Sequence, residues 1–229
     1  MSMSMKDLEK AAQEAISNSE IKKKRKFVES IDVIINLKNV NLKDPNKRFN
    51  NEFELPNVIA EQPKICFFID GDQLIEAKNL GVDAVSKERI EELGKADKIE
   101  KKKFVKQYDF FIASNNLMRF VAKDFGKILG PRGKMPRPMP QGYGVIGPGD
   151  PIAPVIDRYK KIIRLKLTKF PLIQFKIGHK DMNVKALTEN LHAALDYIEH
   201  KMEKGRQNIR SIFVKTTMGK PVKIEGGKK

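Results

Sequence analysis

Apolar residues alternate with polar ones near both ends of this chain and run unbroken in its middle, a contrast that calls for two different sheets. Over residues 27–37 (FVESIDVIINL) the odd positions Phe27, Ile31, Val33, Ile35 and Leu37 are apolar, with Glu29 the exception, while Ser30, Asp32 and Asn36 hold even positions. A period of two marks a half-buried strand with one polar face. The habit returns over 209–217, with Ile212, Val214 and Thr216 on one side and Ser211, Phe213, Lys215 and Thr217 on the other. Residues 52–55, 172–177 and 222–224 are shorter strand candidates. By contrast, 65–69 (ICFFI) is continuously apolar and 109–113 nearly so. Such runs suit strands covered on both faces.

Helical spacing fills in the rest. Leu8, Ala11, Ala12, Ala15 and Ile16 predict a short amphipathic helix over 7–19. Asn183 is a suitable N-cap for a long helix whose apolar stripe runs from Leu187 through Leu191, Ala194, Leu195 and Ile198 to Met202. In the middle, helices over 72–79, 87–93, 116–129 and 152–163 alternate with strands at 65–69, 83–85 and 109–113, the pattern of a parallel sheet. Residues 39–51 are polar, contain Pro45 and read as a loop; 130–154 is rich in Gly and Pro. The expected fold is of the α/β class with two domains. An α+β terminal domain with an antiparallel sheet comprises residues 1–62 and 163–229, and a Rossmann-like α/β domain, residues 63–162, is inserted in it. Linkers are expected at 57–63 and 162–166, a double connection that suits a hinge.

The charge points to a partner. Lys and Arg number 45 against 29 Asp and Glu, a formal net charge of +16, with a pI near 9.8. Such an excess repels itself and implies a polyanion. A membrane is the weaker candidate, because no apolar run approaches the roughly 18 residues a spanning helix needs. Residues 1–10 carry Asp7 and Glu9 and form no signal-peptide core; the Met-Ser repeat at the start is left out of the fold. One cysteine, Cys66, excludes an intrachain disulfide and suggests a reducing cytoplasm. The basic residues cluster: residues 22–26 are Lys or Arg throughout, and 201–229 hold nine Lys or Arg against Glu203 and Glu225. An ordinary solvated surface would carry balancing acids there, so nucleic acid is preferred.

Other motifs are weaker. Gly142, Gly144 and Gly147 match G-x-G-x-x-G, but prolines precede them where a dinucleotide site needs a strand. The run from Gly130 to Lys134 lacks the first glycine and the Ser or Thr of a phosphate loop, yet its cations can touch a phosphate backbone. Asp70-Gly71-Asp72, after an apolar strand, suggests a carboxylate pair for magnesium-dependent phosphoryl transfer; this is the alternative function, set against a simple turn and helix cap. His179, His192 and His200 have no metal-site spacing, and no metal or cofactor is expected. Cys66 reads as inert core.

Three stretches, taken together and in order, carry a resemblance. They are Lys26-Phe27 with Glu29 and Ser30 behind it, residues 129–136 (LGPRGKMP), and Thr216-Thr217-Met218-Gly219 after a strand. With them the chain resembles, over nearly its whole length, the family of ribosomal large-subunit protein one (the L-one family), in its archaeal branch. Bacterial relatives often carry Thr where Ser30 stands. The resemblance implies a non-enzymatic constituent of the large ribosomal subunit in the cytoplasm. It implies a terminal domain on large-subunit rRNA, forming the mobile stalk beside the exit site and aiding release of deacylated tRNA. It also implies repression of translation through the protein's own mRNA. The partners expected are thus rRNA, that mRNA and exit-site tRNA, with a monomer off the ribosome. The motif match selects Lys26, Phe27, Ser30, Thr217, Met218 and Gly219 for RNA contact. Around them Glu29, Arg164, Lys166, Ser211, Lys215 and Thr216 are further candidates, and Arg132, Lys134 and Arg137 a secondary nucleic-acid contact.

The residue types fit. RNA is read largely through its backbone and 2′-hydroxyls. The hydroxyls of Thr217 and Ser30 can donate to and accept from a 2′-hydroxyl. Gly219 lets the backbone approach closely. Met218 and Phe27 offer apolar contact to ribose or base, and Lys26 neutralises phosphate. Phe27 shares a parity with Ile31 and Val33, so core packing is its competing role.

Overall fold

A computed structural model describes residues 4–20, 26–60 and 62–224. In chain order the elements are α1 (Met5–Glu20), β1 (Ser30–Leu37), β2 (Phe49–Glu54), β3 (Ile65–Phe68), α2 (Asp72–Asn79), β4 (Asp83–Val85), α3 (Lys87–Lys95), α4 (Lys98–Gln107), β5 (Phe110–Ser114), α5 (Met118–Arg132), β6 (Val145–Ile146), α6 (Ile152–Tyr159), β7 (Ile162–Leu167), β8 (Leu172–His179), α7 (Val184–Lys201), β9 (Ile209–Thr216) and β10 (Val222–Ile224). They fall into two compact units. One joins the two ends of the chain, Met1–Ala60 with Lys161–Lys229; the other is Glu61–Lys160.

In the first unit, four antiparallel strands pair in the order β10-β9-β1-β8. The alternation in the sequence becomes strict in-and-out burial along β1. Ile31, Val33, Ile35, Val214 and Ile177 face a core shared with Leu8, Ala11 and Ala15 of α1 and with Leu187, Leu191 and Ile198 of α7. Each fully buried Leu or Ile contributes about 1.5–3 kcal/mol, so this face fixes the sheet register. Asn183 caps α7 by accepting from the Lys185 amide at 2.9 Å. Among the described residues, both helices of this unit, α1 and α7, pack on that one face of the sheet.

A second sheet, β2 with β7, adds to the same core through Phe49, Leu165 and Leu167. Phe53 packs on Tyr197 of α7 with ring centroids 4.6 Å apart, and Asn51 Nδ2 donates to the Tyr197 hydroxyl at 2.9 Å. This sheet corrects two expectations. Residues 162–166 are strand rather than linker, and the loop after β1 ends before Phe49. The isoleucines at 162 and 163 look like the tail of the preceding helical stripe, but α6 stops at Tyr159. Their backbones pair instead with Glu54 and Phe53 of β2.

In the second unit β4-β3-β5-β6 form a parallel sheet. All of β3 is buried. Phe68 stacks on Phe111 at 5.6 Å and meets Phe125 of α5 at 5.8 Å, while Phe67, Ile69 and Ile112 are buried at alternate positions. Helix α4, absent from the sequence reading, holds one fully buried side chain, Val105, which is too little periodicity to see. Helix α5 runs on through Pro131 to Arg132, so the start of the Gly/Pro-rich stretch is helix. Gly133, at φ 67°, ends it by left-handed capping, with Lys134 N donating to Leu129 O at 3.0 Å. Among the described residues no helix is long and apolar enough to cross a membrane.

Candidate nucleic-acid interface

Strand β9 ends at Thr216, and the next three residues form a loop fastened at every amide. Thr217 N donates to Ser30 O at 3.0 Å, and Ser30 N donates back to Thr217 Oγ1 at 3.1 Å. The threonine side chain thus replaces a ladder carbonyl at the edge of β1. Met218 N donates to Glu29 Oε2 at 2.9 Å, and Gly219 N to Thr216 Oγ1 at 3.1 Å. Glu29 and Thr216 are buried, at 3% and 0% exposure. Their side chains shape the loop from beneath. Thr217, Met218 and Phe27 are exposed. A Cβ at position 219 would collide with Thr216 Oγ1 and touch Ser19 of α1, so glycine is required there by space.

Phe27 corrects its strand assignment. The strand begins at Ser30, and Phe27 and Val28 lie before it with more than half their surface exposed. The core-packing role falls away, and the pair immediately precede Glu29, whose carboxylate holds Met218.

The loop opens onto the uncovered face of the four-stranded sheet. Registers across β9, β1 and β8 set four rows there. Thr217, Ser30 and His179 form the first, and Lys215, Asp32 and Lys176 the second. Phe213, Ile34 and Gln174 form the third, and Ser211, Asn36 and Leu172 the fourth, where Asn36 Nδ2 donates to Ser211 Oγ at 2.9 Å. A hydroxyl row, a cationic row with a central acid and an apolar row therefore succeed one another. Burial raises the Asp32 carboxyl above its ordinary value, against the pull of Lys215 and Lys176. His179 is pushed down by burial and by Lys176, with Asp181 opposing. Lys176 Nζ lies 2.8 Å from His179 Nε2, which accepts when the ring is neutral.

Lys26 is exposed; residues 22–25 lie outside the described residues. Arg164, on β7, contacts the buried Glu52 carboxylate at 3.3 Å, and Lys166 is exposed on the same strand. In the other unit, Arg132 Nη1 donates to Lys102 O at 3.1 Å, and Lys134 Nζ reaches the carbonyls of Val105 and Tyr108. Arg137 is half-buried and its carbonyl accepts from Gly144 N at 2.9 Å. Sequence reasoning missed Asp32, Phe213, Lys176 and His179. Phe213 shares the parity of Thr217 and was within reach; the β8 residues needed the strand order, which no local pattern gives.

Asp70 Oδ1 accepts from Gly71 N at 3.0 Å in a turn before α2. Among the described residues no three His, Cys, Asp or Glu side chains gather as a metal site. His192 pairs with Asp196 at 3.0 Å. Cys66 is buried, and burial, then Asp83, pushes its thiol up.

Known proteins resemble this chain over most of its length. The sequence pattern described as "Ribosomal protein L1p/L10e family" matches residues 15–220. "Large ribosomal subunit protein uL1" of Methanothermobacter thermautotrophicus is 38% identical, over 90% of this chain and 93% of its own. The protein of the same name from Methanothermococcus thermolithotrophicus is 36% identical over 97% of this chain and 100% of its own, and that from Thermococcus kodakarensis 37% over 93% and 95%. These relatives are named as ribosomal components rather than enzymes, and the phosphoryl-transfer alternative at Asp70 and Asp72 is set aside with them. With a match across most of its length and archaeal relatives at this level of identity, the chain belongs to the ribosomal protein L1p/L10e family, in its archaeal branch.

Proposed function

We propose that this chain is a constituent of the large ribosomal subunit that binds its rRNA through the Thr217–Ser30 end of the four-stranded sheet. The unit built from the two chain ends is the RNA-binding domain. It forms the mobile stalk beside the exit site and helps deacylated tRNA leave. The same surface takes the protein's own mRNA and represses its translation, and the free protein is a monomer. Lys26, Phe27, Ser30, Thr217, Met218 and Gly219 touch RNA; Glu29 and Thr216 act by holding the loop. Ser211, Lys215, Arg164 and Lys166 extend the contact, and Arg132, Lys134 and Arg137 offer a secondary one.

The observation that carries this reading is the fastening of Thr217 to Ser30 by two main-chain amides. A surface fixed before its ligand arrives loses little entropy on binding. The Thr217 hydroxyl donates to Ser30 O only at a long 3.4 Å and keeps a lone pair, so it can turn to a 2′-hydroxyl, the group by which RNA is told from DNA. The net charge of +16 supplies the phosphate attraction.

The test is affinity for a stalk rRNA fragment with excess unrelated RNA present. Thr217→Val keeps the branched shape and removes the hydroxyl, and should weaken binding by about 1–3 kcal/mol, while Thr217→Ser should bind nearly as the parent. A valine variant that binds undiminished removes the site. The leader of the protein's own mRNA should respond in parallel; if it does not, the repressor role falls alone.

A further inference from the structure

We propose that the unit Glu61–Lys160 carries a separate docking surface for an RNA backbone, on the outward faces of α5 and its neighbour α4. Charge within this unit is segregated. Residues 61–97 hold five Lys or Arg against nine Asp or Glu, whereas 98–137 hold eleven against three. On α5, Arg119, Lys123 and Lys127 are all exposed and follow one another at four-residue steps, a rise of about 6 Å each. On α4, Lys98, Lys102 and Lys106 repeat the arrangement. The two helices pack together through Phe104 and Phe125, centroids 6.0 Å apart.

None of these six side chains has a hydrogen bond or ion pair among the described residues. Like charges four apart on a helix repel. The neighbouring α3 shows the ordinary arrangement, with Arg89 and Glu92 paired at 2.8 Å. The acid of α5, Asp124, is half-buried and lies against Gly94 of α3, so it does not balance the row.

Two glycines sit between the cations. Gly126 and Gly130 are inside α5, and a Cβ on either would meet nothing within 4 Å. Gly130 eases the helical turn before Pro131, whose ring crowds a preceding Cβ; at Gly126 no side-chain crowding calls for glycine, which weakens a helix. Both leave bare main chain where a ligand's backbone can come close. Repulsion and poor propensity both burden the free protein, and a polyanion on this face offsets both. An acidic protein is the poorer fit, because the α5 face offers no large apolar side chain for the centre of a protein interface and α4 adds Ile99 alone among its exposed positions.

The inference rests on the RNA-binding reading above but concerns a different surface. Its test uses the full chain with a large-subunit rRNA fragment and amine acetylation read lysine by lysine. In the complex Lys123 and Lys127 should lose reactivity several-fold, with exposed Lys78 of α2 unchanged. Replacing Arg119, Lys123 and Lys127 by Gln should flatten the dependence of log affinity on log salt by about 2 without lowering Tm. Gly126→Gln should raise Tm and weaken the complex. Equal acetylation in free and bound chains, or an unchanged salt slope in the triple variant, overturns the inference. Failure of the parent chain to bind the fragment overturns instead the reading on which it rests. Equal protection by polyglutamate would assign the face to an acidic protein and also overturn it.

Discussion

A methyl group at position 219 has no room, and that constraint reaches the proposed RNA contact. Gly219→Ala would drive Cβ into Thr216 Oγ1, whose hydroxyl is buried and already accepts from the Gly219 amide. We expect a loss of about 1–3 kcal/mol of stability, the usual scale for overpacking. The displaced Met218 should also lower rRNA affinity; urea unfolding and a binding titration on one preparation check both. Retained stability and affinity together would mean that the loop yields freely. Much at this scale was legible in the sequence. Alternation alone placed Thr216 on the apolar side and Thr217 on the other, and gave Glu29 the parity of Ile31. What alternation cannot mark is where a strand starts. Phe27 has the right parity, but the last main-chain tie to the β8 side is the Glu29 carbonyl, which accepts from Lys180 N at 2.9 Å, and the Glu29 carboxylate is turned to the Met218 amide.

Elements with few inward residues of their own were the ones the sequence hid. Strand β7 has three inward residues and depends on β2, more than 100 residues away, for its ladder. Its Arg164 lies at 3.3 Å from Glu52, whose side chain is 3% exposed. Arg164→Ala takes the cation from a buried carboxylate and should cost about 3 kcal/mol by denaturant unfolding; a cost below that of a surface pair would show the ion pair to be incidental. Strand β1 gives the pH dependence. Burial raises the Asp32 carboxyl above its ordinary value near 3.8, so the fold favours the protonated acid. Its contribution is present below the unfolded value and lost as pH rises through the raised folded one. Asp32→Asn should match the parent at low pH and be at least as stable at pH 7, and should bind rRNA no more weakly, since an acid between Lys215 and Lys176 is gone. A parent more stable than the variant at pH 7 would show that the two lysines outweigh burial.

At the scale of the molecule, two patterns of apolar residues announced two units, and a charge of +16 announced a polyanion. The same charge sets opposite salt responses for the free and the bound protein. Without RNA, the basic faces repel one another and weaken the compact state. Raising monovalent salt from about 0.1 M to about 1 M shortens the screening length from about 10 Å to about 3 Å, so Tm of the free chain should rise. With RNA, each neutralised phosphate releases counterions, and affinity should fall steeply over the same range. A fluorescence melt and a binding titration in one salt series read both slopes. A Tm that stays flat or falls would mean that the cations of the free protein are already offset by its own acids. The reasoning from net charge to a polyanionic partner would then lose its energetic basis, even if the Thr217 loop still bound RNA.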